Sequence, residues 1–157
     1  MPNTALIETC WALLQDKTPL ASNCGRLCRA ACCQGDSTTG MILFPGEAEL
    51  YEQCSFGEIL PLSEPIGPAD KLLVCGGTCP RSERPLACRL FPLFLRPKDP
   101  PMLIFDPRAT MCPLCQGKPR LQRSFIMAVH QVYVRLMEDP ECRNFLRALD
   151  RELFGLF

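Results

Sequence analysis

The chain opens with apolar residues at helical spacing. Leu6, Cys10, Leu13 and Leu14 share one face behind a capping residue at Asn3 or Thr4, and the run "KTP" closes the segment, which predicts a first helix. The same period returns at the far end, where "RLQRSFIMAVHQVYVRLMED" sets Leu121, Phe125, Val129, Val132 and Leu136 on one side. A last helix follows, with Asp139 as its cap and Pro140 in its first turn. Cys142, Phe145 or Leu146, Leu149 and Leu153 line its apolar stripe. Residues 1–17 and 120–157 are thus expected to be packing helices.

Between these ends the period shortens and the turn signals thicken. "MILF" (41–44), "KLLVC" (71–75) and "MLIF" (102–105) predict short strands, separated by proline-rich turns such as "LPLSEPIGP" and "RPKDPP". "PGEAELYEQC" predicts one further short helix after Pro45. There is no internal repeat, and the cysteine groups at 24–33 and 75–88 differ in spacing, which argues against a duplicated zinc finger. The expected fold is a small α+β single domain over 1–157. Helices at both termini surround a loop-rich, metal-stabilised cysteine-cluster centre with short strands, and the metal-binding region covers 24–115.

Composition narrows the functional classes. At 157 residues and 47% hydrophobic the chain can bury a core, while 16 prolines and 10 glycines fill its middle with turns. A formal net charge of zero argues against nonspecific nucleic-acid binding, which needs a basic excess to displace counterions. The start, "MPNTALIETCWALLQD", lacks the basic opening of a secretory signal and carries Glu8 and Asp16 inside its apolar stripe. "SFIMAVHQVYV" is too short to span a bilayer and contains His130 and Gln131. The expectation is a cytoplasmic protein with neither a nucleic-acid nor a membrane partner. In that reducing setting twelve cysteines point to metal ligation or redox chemistry rather than a disulfide framework.

Nine of the twelve cysteines fall in three groups: Cys24, Cys28, Cys32 and Cys33; Cys75, Cys79 and Cys88; Cys112 and Cys115. Each group has glycine or proline beside its thiols, as in "CG", "CGGTCP" and "CP", which permits the tight turns that bring two sulfurs onto one ion. Cys10 and Cys142 sit on apolar helix faces and Cys54 ends a predicted helix, so these three read as buried small hydrophobes. On one straight helix Cys24 and Cys32 would lie about 12 Å apart. Zinc–sulfur bonds of about 2.3 Å cannot bridge that gap. Either Gly25 folds Cys24 back, or the first group feeds two metals or a multi-iron cluster, and the nine thiols suffice for two four-thiolate sites with one left over. Arg26, Arg29, Arg81, Arg84 and Arg89 lie close in sequence to these cysteines, and their charge would help to hold thiols ionised.

The order of these features resembles a known group. A cysteine-dense run ending in Cys32-Cys33 is followed by "PGE" at 45–47, by Cys75, and by C-x-x-x-x-R-P-x-x-C-R from Cys79 to Arg89. The pattern is similar to the YkgJ-like cysteine-cluster family, described as zinc- or iron-chelating, over roughly residues 24–92. The first run departs from the family's usual C-x-x-C-x-x-C-C by having three residues in each gap. The resemblance implies metal binding through Cys28, Cys32, Cys33, Cys75, Cys79 and Cys88, together with Cys24, and it implies no reaction. Cys112 and Cys115 lie outside the matching part and stand on the spacing of "CPLC".

Three functions compete. The first is a metal-binding protein that holds zinc, iron or an iron–sulfur cluster through these nine thiolates, so that metal binding contributes to folding. The second is a thiol–disulfide or iron–sulfur oxidoreductase. Cys112 and Cys115 lack the strand-then-helix setting of a thioredoxin-like motif, however, and C-x-x-x-C-x-x-x-C is not the radical-SAM spacing. The third is a maturation or interaction protein, with "LFGLF" as a docking patch for a protein partner or as packing on the first helix. His130, the sole histidine, lies on a face with Ile126, Tyr133 and Met137 and reads as a satisfied or packed histidine rather than a ligand. Glu47 reads as a helix-start carboxylate, with an oxygen-ligand or metal-supporting role as the alternative.

Overall fold

A computed structural model describes residues 3–18, 40–75, 81–107 and 121–155. The first helix, α1, spans Thr4–Leu14, and the Asn3 side chain accepts from the Leu6 amide, which satisfies one of the unpaired N–H groups at a helix start. Ile7, Cys10 and Leu14 form its buried stripe, while Leu6 and Leu13 are half-buried at its edge. At the other end α3 (Arg123–Glu138) and α4 (Pro140–Phe154) pack together and are joined at Asp139, whose carboxylate accepts from the Cys142 amide. Proline in the first turn costs α4 nothing, because its missing N–H would have had no partner there.

Two small antiparallel sheets lie between these helices. In the first, the order is β1 (Met41–Ile42), β3 (Ala69–Cys75), β2 (Gly57–Ile66). The second pairs β4 (Leu93–Arg96) with β5 (Met102–Phe105) in regular register from Leu93↔Phe105 to Arg96↔Met102. A short helix, α2 (Leu86–Leu90), precedes β4, and single 3₁₀ turns occupy Ala48–Tyr51 and Arg81–Glu83. The architecture is α+β with helices at both ends, as the periodicity implies.

Several boundaries differ from the sequence reading for physical reasons. The supposed turn "LPLSEPIGP" is largely strand β2, which tolerates Pro61 and Pro65 because it is a sheet edge and its register breaks between Pro61 and Ile66. β4 escapes a period-two search because Leu93, Phe94 and Leu95 are all buried. "MILF" is strand only at Met41–Ile42, since Phe44 opens a turn. The short helix expected in "PGEAELYEQC" is a 3₁₀ turn over Ala48–Tyr51.

The main core joins Ile7, Cys10 and Leu14 of α1 to Phe125, Val129, Val132 and Leu136 of α3 and to Phe145, Leu146 and Leu149 of α4. Phe44 meets the edge of Phe145 at 4.9 Å between ring centroids, so the turn after β1 is anchored in the helical core. Of the "LFGLF" tail, Phe154 lies 6.5 Å from Phe94 and 3.8 Å beneath the Arg96 guanidinium, and Leu153 packs on the same core. Phe154 thus packs on β4, and Leu153 on the core that α1 shares, while Leu156 and Phe157 lie outside the described residues. Among the described residues no helix is long and apolar enough to cross a membrane.

Phe145→Ala should lower unfolding free energy by about 3–5 kcal/mol in denaturant titration, because a fully buried ring leaves a cavity. Met127→Ala, at a position 53% exposed, should stay within about 0.5 kcal/mol of the parent.

Candidate metal centre

The turn Phe44-Pro45-Gly46-Glu47 builds one side of the candidate site. Pro45 presets its own φ and Gly46 takes φ 90, the left-handed region glycine favours, so the Glu47 amide donates back to the Phe44 carbonyl at 2.9 Å. This turn sends the Glu47 carboxylate into the interior, where it is fully buried. Oε1 accepts from the Phe44 amide at 3.1 Å, and Oε2 accepts from the Trp11 indole at 2.9 Å and from the Leu86 amide at 2.6 Å. Burial pushes its carboxyl above the ordinary range, and the Leu86, Trp11 and Phe44 donors and the Arg89 charge pull it back. Each of these hydrogen bonds comes from an N–H donor, so the ionised, acceptor-only form matches its surroundings.

Glu47 is thus more than a helix-start carboxylate. It makes no cap bond to its own 3₁₀ turn and instead caps α2, which begins after Pro85 and has no capping side chain of its own. α2 carries Cys88, half-buried, with Leu86, Arg89 and Leu90 turned into the interior.

Arg89 completes the frame. Its Nε donates to the Arg84 carbonyl at 2.7 Å and its Nη2 to the Ser82 carbonyl at 2.9 Å, while Nη1 reaches the Trp11 carbonyl and Gln15 Oε1. The guanidinium also stands 4.8 Å from the Trp11 ring centroid. Tyr51, 5.6 Å from the same ring, donates its hydroxyl to the Glu83 carbonyl at 2.7 Å. Three successive carbonyls, Ser82 to Arg84, are therefore held by two largely buried side chains.

The candidate ligands divide sharply. Cys24, Cys28, Cys32, Cys33, Cys79, Cys112 and Cys115 lie outside the described residues, as do Arg26 and Arg29. Cys75 is placed by its backbone, at the end of β3 opposite Gly57. Cys88 is placed in full. Among the described residues no three His, Cys, Asp or Glu side chains converge on one point. The scaffold does fix where the cysteine-bearing segments attach. Thr18, before segment 19–39, accepts from Gln122 Nε2 through its carbonyl and hydroxyl at 3.0 and 3.1 Å, and Gln122 closely follows segment 108–120. Gly40, at the other end of 19–39, lies so close to the Leu73 carbonyl that a side chain has no room there, two residues before Cys75.

Of the three remaining cysteines, two are buried as expected of small hydrophobes and Cys54 is not. Cys10 and Cys142 are fully buried free thiols, and Cys54, also free, is half-buried. Burial pushes the Cys10 thiol from 9.0 up to about 12, and burial with Asp139 raises Cys142 as well, so neither supplies a thiolate at neutral pH. His130 is not packed: it is exposed on α3, in a shallow groove with Gln131, Val134, Arg135 and Glu138. Sequence reasoning missed Trp11 and Tyr51, and it did not foresee that Arg89, read there as a counter-cation to thiolates, would also bond the carbonyls of Ser82, Arg84 and Trp11 and the Gln15 side chain. The "PGE" turn was the available signal, since Pro-Gly with a following carboxylate marks a tight turn. The chain has no match among protein-family models, curated proteins or solved structures.

Glu47→Gln should cost about 2–4 kcal/mol, measured by denaturant unfolding, because its amide turns a donor toward buried N–H groups. A second expectation concerns alkaline pH. In the unfolded chain the Cys10 thiol ionises near 9.0, but in the folded chain it keeps its proton to about 12. The unfolded state then binds fewer protons, so stability falls as pH rises through that window. Cys10→Ala should make the fall shallower, and an unchanged slope would show that Cys10 is not the group responsible.

Proposed function

We propose that this chain is a metal-binding protein in which Cys24, Cys28, Cys32, Cys33, Cys75, Cys79, Cys88, Cys112 and Cys115 supply thiolates to zinc or to an iron–sulfur cluster. The ordered resemblance to the YkgJ-like family and the cytoplasmic reading belong to the same proposal, since a reducing compartment keeps such thiols available to metal.

The observation that carries it is the way the frame gathers the attachment points of the cysteine-bearing segments. Arg89, next to Cys88, grips Trp11 and Gln15 at the end of α1, three residues before Thr18. Thr18 is bonded to Gln122, and Gly40 abuts the strand that ends at Cys75. Chain segments that begin and end on one frame lose little further entropy when their thiols meet at an ion. Cys88 fits the role of ligand: it is half-buried on a helix whose other positions are anchored, unlike the sealed Cys10 and Cys142. Bound there, the metal would cross-link the loop-rich half of the molecule and supply folding free energy.

Elemental analysis and visible absorption of anaerobically purified protein test this reading. At least one zinc per chain, or iron with a cluster's absorption, is expected, and Cys88→Ser should lower the retained metal while Cys54→Ser leaves it unchanged. A metal-free, colourless product, or equal metal content in both variants, contradicts it.

A further inference from the structure

The backbone from Ser82 to Leu86, just before Cys88, is held before any ion is considered. Arg89 bonds the carbonyls of Ser82 and Arg84, Tyr51 bonds that of Glu83, and Glu47 accepts from the Leu86 amide at the start of α2. These side chains are themselves fixed: Glu47 is fully buried, Arg89 and Tyr51 are nearly so, and Trp11 touches all three through two hydrogen bonds and two ring contacts. Four anchors over the five residues Ser82 to Leu86 exceed what a surface turn needs, because such a turn satisfies its carbonyls with water.

We propose that Glu47, Tyr51 and Arg89 are positioning residues of the metal centre, setting the Ser82–Cys88 conformation so that the Cys88 sulfur is held ready for the ion. The inference rests on the metal-binding reading above. None of the three touches the metal. Their effect runs through the backbone, since a thiol on a preset segment gives up less conformational freedom on ligation and escapes from the ion less often. Residues behind a metal's own ligands commonly change its retention in this way.

The test is the rate at which metal-loaded protein surrenders its ion to excess chelator, a pyridylazo dye for zinc or a phenanthroline for ferrous iron. Tyr51→Phe removes one carbonyl bond at little steric cost, and Arg89→Lys keeps the charge but loses the forked donor. Val132→Ala, in the core on α3 and outside this set of bonds, controls for lost stability. Both loop variants should release metal about 10- to 100-fold faster than the parent, and Val132→Ala should release it at the parent rate. Should Arg89→Lys fail to fold, Tyr51→Phe decides. Loop variants no faster than Val132→Ala overturn the positioning role and leave the metal reading intact. A parent protein that carries no metal overturns both.

Discussion

A buried carboxylate can be kept in a small protein only if donors meet it from several directions, and Glu47 meets that condition with three N–H groups from three distant parts of the chain. Trp11 comes from α1, Phe44 from the turn after β1, and Leu86 from the first position of α2. A five-residue helix such as α2 is too short to hold itself together, so the charge at its N-terminus and the packing beneath it define its place. The sequence requirement is a Pro-Gly turn that aims the carboxylate inward, and the structural outcome is a frame that joins α1, the turn after β1 and α2.

Around that frame the molecule divides its stabilisation into two kinds. α1, α3 and α4 pack an aliphatic and aromatic core that includes Cys10 and Cys142 as inert thiols. The region from Gly40 to Arg89 has a smaller apolar cluster of Leu43, Tyr51 and Leu73, and relies more on directed polar contacts. Arg89 shows the difference in chemistry. A lysine at this position could not bond two backbone carbonyls of one turn, the end of α1 and an indole face together, because it lacks the planar fork.

The helices were legible from sequence because their signals are local: a 3.6-residue apolar period, Asn3 and Asp139 as caps, and Pro140 at the first turn. Strand β2 was not, since Pro61 and Pro65 imitate a turn unless one knows that the strand lies on a sheet edge. β4 was hidden for the opposite reason, as burial on both faces removes alternation. Of the candidate site, the buried, inert character of Cys10 and Cys142 could be read from helix face. The hub could not. Trp11, Glu47 and Leu86 are 36 and 39 residues apart along the chain, and no one-dimensional pattern marks a hydrogen bond across that separation.

The sulfur environment of the ion itself is the most direct measure of the account. X-ray absorption at the zinc or iron edge of the purified chain should show a first shell of sulfur, at about 2.3 Å for zinc, with thiolates as the main ligands. A shell of nitrogen and oxygen alone, or a chain with no metal to absorb, would contradict it.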